Sequence, residues 1–153
     1  MKLSTHFMLA EFTASDTALR LGIDNSLPTE LLPMAILTAQ MMERVRDALC
    51  YRADAEVPIL VSSAYRCMAL NKAIGSTGKD HPLMLAVDFK APAFGTPLAV
   101  CKVLVPQMDA LGIGQLIYEH TWVHVSRRKP EKLINRVLTL QGRGGYAAGI
   151  VEE

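Results

Sequence analysis

A chain of 153 residues, half of them hydrophobic and a fifth charged, is long enough to bury one core, and its composition excludes a disordered or low-complexity protein. With 16 Lys and Arg against 15 Asp and Glu, the net charge of +1 gives no reason to expect nucleic acid or a membrane surface as partner. The first residues lack an apolar stretch of signal-peptide length, and no run reaches the roughly 18 apolar residues of a membrane span; a soluble protein made in the cytoplasm without an export signal is expected.

In chain order, His6 to Arg20 reads as a small helix with capping or turn chemistry at Ser15-Asp16, followed by a turn-rich break at Gly22 to Pro28. Thr29 suits an N-cap, and Leu32, Ala35, Ile36, Ala39, Met42, Val45 and Leu49 recur at spacings of three and four, predicting a long core helix. Its methionines, Met34, Met41 and Met42, read as packing. Ile59 to Ser63 reads as a buried strand, Cys67 to Ile74 as a short helix, and Met84 to Lys90 as a second strand. Thr96-Pro97 has the pattern of an N-cap and first helical residue, opening a helix over 98–111 that Pro106 should kink.

Two strand-like runs, 115–119 and 122–126, are separated only by His120-Thr121, which predicts a hairpin. Arg127-Arg128-Lys129 reads as a solvated turn. Residues 136–140 suit one more strand, and Gly142 to Tyr146 read as a mobile tail. No linker or repeat divides the chain, so residues 1–153 are expected to form one domain with its core at about 4–140. Early helices and late hairpins without βαβ alternation indicate an α+β fold, a small mainly antiparallel sheet packed against helices.

Cys50, Cys67 and Cys101 are an odd number without a CxxC pair and read as reduced thiols. The chemistry lies elsewhere. His81 stands seven residues before Asp88 and just after a Gly/Ser/Thr-rich loop, and His124 sits in the second hairpin strand. Two imidazoles and a carboxylate are the ligand set of a catalytic zinc, with one coordination position left for water. Strand alternation puts Met84, Ala86 and Asp88 on one face, with Leu85, Val87 and Phe89 on the other. A turn at His120-Thr121 pairs Ile117 with His124 and Glu119 with Trp122, so Glu119 and His124 share a face, where a general base is needed. A lone strand histidine is more often a satisfied polar residue, and spacing alone does not decide for a metal.

Several segments in order carry a resemblance: Ser4-Thr5-His6-Phe7 with Glu11-Phe12; Thr17-Ala18, Arg20 and Gly22 to Asn25; Val61 to Cys67 with Leu70-Asn71; His81 through Ala86 to Asp88; and Gln115 to Glu119 with Trp122 to Ser126. Over residues 4–127 the chain resembles the zinc D-Ala-D-Ala carboxypeptidase family, and within it the small phage and prophage cell-wall peptidases. The resemblance implies the α+β fold shared with the hedgehog signalling domain and one Zn2+ held by His81, Asp88 and His124. Glu119 matches the general base, and Arg66, with Ser63 and Tyr65 of the same motif, matches substrate-binding positions.

It further implies hydrolysis of peptidoglycan stem peptides by zinc-activated water, at the cell wall after phage-type release. Where the family has serine two residues before the first histidine and glycine three after it, this chain has Lys79 and Met84, with Pro82 next to His81. Those departures motivate an alternative, a zinc-stabilised cell-wall-binding or phage structural domain without turnover.

Overall fold

The computed structural model describes residues 1–152. The expected first helix is two, α1 (Leu9–Thr13) and α2 (Asp16–Leu21), because the Ser15 hydroxyl accepts the Ala18 N–H at 3.1 Å and starts a new helix. A 3-10 turn at Thr29–Leu31, where a cap was expected, leads into α3 (Leu32–Ala53), with Pro33 tolerated in its first turn. Ala35, Ala39, Met41, Met42, Val45 and Leu49 are fully buried along α3, each large side chain contributing about 1.5–3 kcal/mol of transfer free energy.

The chain continues through β1 (Leu60–Ser63), α4 (Met68–Ala73), β2 (Ala86–Lys90) and α5 (Pro97–Leu104). Pro106 cannot supply an N–H, and the expected 98–111 helix breaks into α5, a 3-10 turn at Val105–Gln107 and α6 (Met108–Leu111). Gly112 ends α6 with φ 78°, and a Cβ there would lie 2.7 Å from the Arg44 guanidinium, which binds the Leu111 carbonyl. Only glycine satisfies both demands.

The last elements are β3 (Gln115–Tyr118), β4 (Val123–Ser126), β5 (Val137–Leu140) and β6 (Tyr146–Ala148). Among the described residues six strands form one sheet in the order β1-β2-β4-β3-β5-β6, all pairs antiparallel except β3 with β5. The α+β expectation holds. The tail expected to be mobile instead carries β6, which Gly144 and Gly145, at φ 85° and 77°, turn back onto β5.

Side-chain alternation gives the sheet two faces. Val87, Phe89, Leu116, Val123 and Val125 join the core with the α3 residues, while Asp88 and His124 face away from it. Met84 departs from its expected place on the Asp88 face. It lies before the strand in a left-handed conformation, φ 59°, and its side chain is fully buried in the core. The Thr38 hydroxyl donates to its carbonyl at 2.7 Å. This is the position where the resembled family carries glycine, and the backbone still adopts the glycine-favoured conformation.

All three cysteines are free. Cys67 Sγ accepts the Leu70 N–H at 3.4 Å as the cap of α4, and burial pushes the Cys101 thiol up to about 12. Among the described residues, no helix is long and apolar enough to cross a membrane.

Candidate metal centre and cleft

The cleft face of the sheet is organised in rows. The antiparallel β2–β4 pair sets Asp88 opposite His124, and the β3–β4 hairpin sets Ile117 opposite His124 as its turn predicted. One step along, the Glu119 N–H donates to the Trp122 carbonyl at 3.2 Å, so these two lie on the His124 face. His81 arrives from outside the sheet, on a turn closed by Met84 N–H to His81 carbonyl and Leu85 N–H to Asp80 carbonyl bonds of 3.1 and 2.8 Å.

His81, Asp88 and His124 are all buried, and one donor atom from each lies within 4.8 Å of the other two. His124 Nδ1 is 2.8 Å from Asp88 Oδ1; a carboxylate accepts, so the imidazole donates. His81 Nδ1 is 2.6 Å from the Ala64 carbonyl, which again can only accept. The second ring nitrogen of His81, Nε2, therefore presents its lone pair. It is buried without a hydrogen-bond partner among the described residues, 3.4 Å from Asp88 Oδ2.

A buried lone pair facing a carboxylate oxygen is unfavourable unless a cation lies between them. An imidazole whose far N–H is fixed on a backbone carbonyl is the usual support of a metal-binding histidine. The residues present fit a divalent cation with nitrogen and oxygen preference, such as zinc.

Electrostatics follow from this packing. Burial pushes the His81 imidazolium down, against the opposing pull of Asp88, and keeps the ring neutral. Burial would raise the Asp88 carboxyl, but His124 and His81 outweigh it and hold it well below the usual carboxylate range. Glu119 is pushed up by burial and then by the Asp88 charge, with His124 and Arg66 opposing.

Arg66 lines the same cleft and makes no ion pair among the described residues; its Nε is buried without a partner. The loop that carries it is held by Asn25, whose Nδ2 donates to the carbonyls of Thr13 and Tyr65 at 2.9 and 3.0 Å and whose Oδ1 accepts the Cys67 N–H at 2.8 Å. Asn71 similarly fixes the Gly/Ser/Thr-rich loop through the Gly78 carbonyl at 2.9 Å.

The cleft has a volume of about 870 Å³. Of the expected substrate-binding residues it includes Arg66 but neither Ser63 nor Tyr65. Tyr65 is buried in the core with its N–H on the Phe12 carbonyl, and Ser63 sits beside Asp88 at a register irregularity of β1. The basic run is not a simple solvated turn. Arg127 reaches back to the Thr38 hydroxyl and Met34 sulfur, Arg128 pairs with Asp80 across the cleft, and Lys129 lines it. Tyr146, outside every sequence-based expectation for the site, also lines it.

A sheet-borne His-Asp-His cluster lining an open cleft, beside a carboxylate and a guanidinium that makes no ion pair among the described residues, has the make-up of a candidate metal site suited to hydrolysis. The sequence pattern described as Peptidase M15 matches residues 5–126, and the chain belongs to that family, the zinc D-Ala-D-Ala carboxypeptidase family. Membership implies a peptidase with a peptide substrate. A search of curated proteins finds no significant match to the chain.

Proposed function

We propose that the protein is a zinc-dependent peptidase that hydrolyses the stem peptides of peptidoglycan, as a carboxypeptidase or endopeptidase. The observation that carries this reading is the orphaned His81 Nε2 beside Asp88 and His124, with Glu119 on the same sheet face one row away. Zinc held by His81, Asp88 and His124 would supply a Lewis acid for the scissile carbonyl and bring the pKa of a water toward neutrality.

The protein's own side chains supply the rest. Glu119 accepts the proton of the attacking water and returns it to the leaving amine, a task suited to a carboxylate raised by burial. Arg66, an always-charged fork that makes no ion pair among the described residues and whose Nε has no partner there, orients a substrate carbonyl or carboxylate. Neutral His81, its tautomer set by Ala64, and ionised Asp88 are in the protonation states that ligation requires.

Incubation with purified peptidoglycan and mass spectrometry of the soluble products tests the reading and identifies the bond cut. New amino and carboxyl termini within stem peptides are expected, lost on chelation and restored by zinc. One zinc per chain with no such product would instead favour a zinc-stabilised, non-catalytic cell-wall-binding domain.

A further inference from the structure

The sheet order places two polar groups at opposite margins of the cleft. Arg66 follows β1, which forms one edge; Tyr146 begins β6, which forms the other. Register carries the argument across. Ile117 pairs with Leu138 in the parallel β3–β5 ladder, so Leu140 falls two residues on, on the Glu119 face; Leu140 in turn pairs with Tyr146. Trp122, Glu119, Leu140 and Tyr146 thus form one row on the metal side of the sheet.

The far end of that row is anchored. The His120 imidazole Nε2 donates to the Leu140 carbonyl at 2.6 Å, tying β5 to the turn beside Glu119. Thr139 Oγ1 donates to the Gly149 carbonyl and accepts the Val151 N–H, at 2.8 and 2.9 Å, which holds the strand after Tyr146 in place. Tyr146 itself is half exposed, lines the cleft, and its hydroxyl has no hydrogen-bond partner among the described residues.

We infer that Tyr146 is a substrate-binding residue whose hydroxyl donates a hydrogen bond to a carbonyl or carboxylate of an extended peptide lying across the cleft from Arg66. The inference rests on the peptidase reading and deepens it. Three strand spacings separate β4 from β6, about 14 Å, and a tyrosine reaches back over part of that span. At about 3.4 Å per extended residue, the bonded group lies some two or three residues from the scissile bond. Burial and then the charges of Glu119 and Asp88 push the phenol up, which keeps it a protonated donor. Residues 137–148 lie outside the matched family segment.

Trp122, the single tryptophan, lines the cleft and reports occupancy by its fluorescence. Zinc-loaded wild type, Tyr146→Phe and Tyr146→Ala would be titrated with soluble stem peptides from purified peptidoglycan, and cleavage followed separately. Tyr146→Phe, which removes one oxygen, is expected to weaken binding and raise KM roughly 3- to 10-fold, the worth of one hydrogen bond, with zinc content, Tm and kcat unchanged. Equal binding by wild type and Tyr146→Phe overturns the inference, whether or not the peptides are cut. Binding that weakens without cleavage upholds Tyr146 while removing the peptidase assignment. Failure of the wild type to bind overturns both.

Discussion

The Nδ1 of His81 lies 2.6 Å from the Ala64 carbonyl, and that one contact decides which nitrogen faces Asp88. Because the carbonyl takes the proton-bearing side, the lone pair is turned inward before any cation arrives. The wild-type protein is therefore expected to bind one zinc per chain, and His81→Ala and Asp88→Ala to lose it, as elemental analysis would show. At zinc 100-fold above Kd, linkage adds about 2.7 kcal/mol, or about 5–11 °C in Tm at about 2–4 °C per kcal/mol for a chain of this size. An unchanged Tm on chelation, with equal zinc in all three proteins, would remove the metal assignment.

Met84 sets two effects against each other. Its left-handed backbone costs about 1–2 kcal/mol relative to glycine, whereas deleting a fully buried methionine side chain costs about 2–5 kcal/mol. Met84→Gly is thus expected to be destabilising, by up to about 4 kcal/mol in denaturant unfolding. A stabilised variant would mean that strain, not packing, dominates there.

Arg66 is expected to trade stability for function. Its partly buried guanidinium has no acceptor for Nε among the described residues, and burial pulls its pKa down against Asp88 and Glu119. Arg66→Met should leave Tm unchanged or raise it, while kcat/KM for stem-peptide cleavage falls about 10²-fold through loss of a charge-assisted bond. Arg66→Lys should recover only part of that loss, since an ammonium lacks the fork. Wild-type kcat/KM in either variant would displace Arg66 from the substrate.

Glu119 gives a pH signature. Its folded pKa is raised, so ionisation is disfavoured in the fold; stability from this group is highest below its unfolded value and falls as pH rises through the folded one. In chelated protein, Glu119→Gln should melt above wild type at pH 8, with the gap closing toward pH 4. In zinc-loaded protein the same variant should retain metal and lose about 10²–10⁴-fold in kcat, the usual worth of a general base. Full activity with bound zinc would take Glu119 out of the proton path.

Much of this was legible along the chain because it is local. Hairpin parity foretold that Ile117 faces His124 and that Glu119 shares its side, and the periodic stripe foretold α3. What escaped depends on contacts distant in sequence. Nothing local says that β2 pairs with β4 to set Asp88 against His124, or that β5 joins β3 in parallel. Tyr65 and Arg66 are adjacent, yet one enters the core and the other the cleft, a difference imposed by Asn25 bracketing their loop. The pair Gly144-Gly145 before Tyr-Ala-Ala is a turn-and-strand signal for β6, but a weak one, since glycine-rich segments more often stay loose.

The placement of β2 and β4 in the interior of the sheet has a consequence for how such a protein can change. Amide hydrogens around Asp88 and His124 should exchange slowest, being flanked by ladders on both sides, while those of β1 and β6 exchange early. On the function proposed above, reaction chemistry would be housed in the stiffest part of the molecule and recognition at its margins. Evolution can remodel the borders to admit a different peptide without retuning the cation-binding centre.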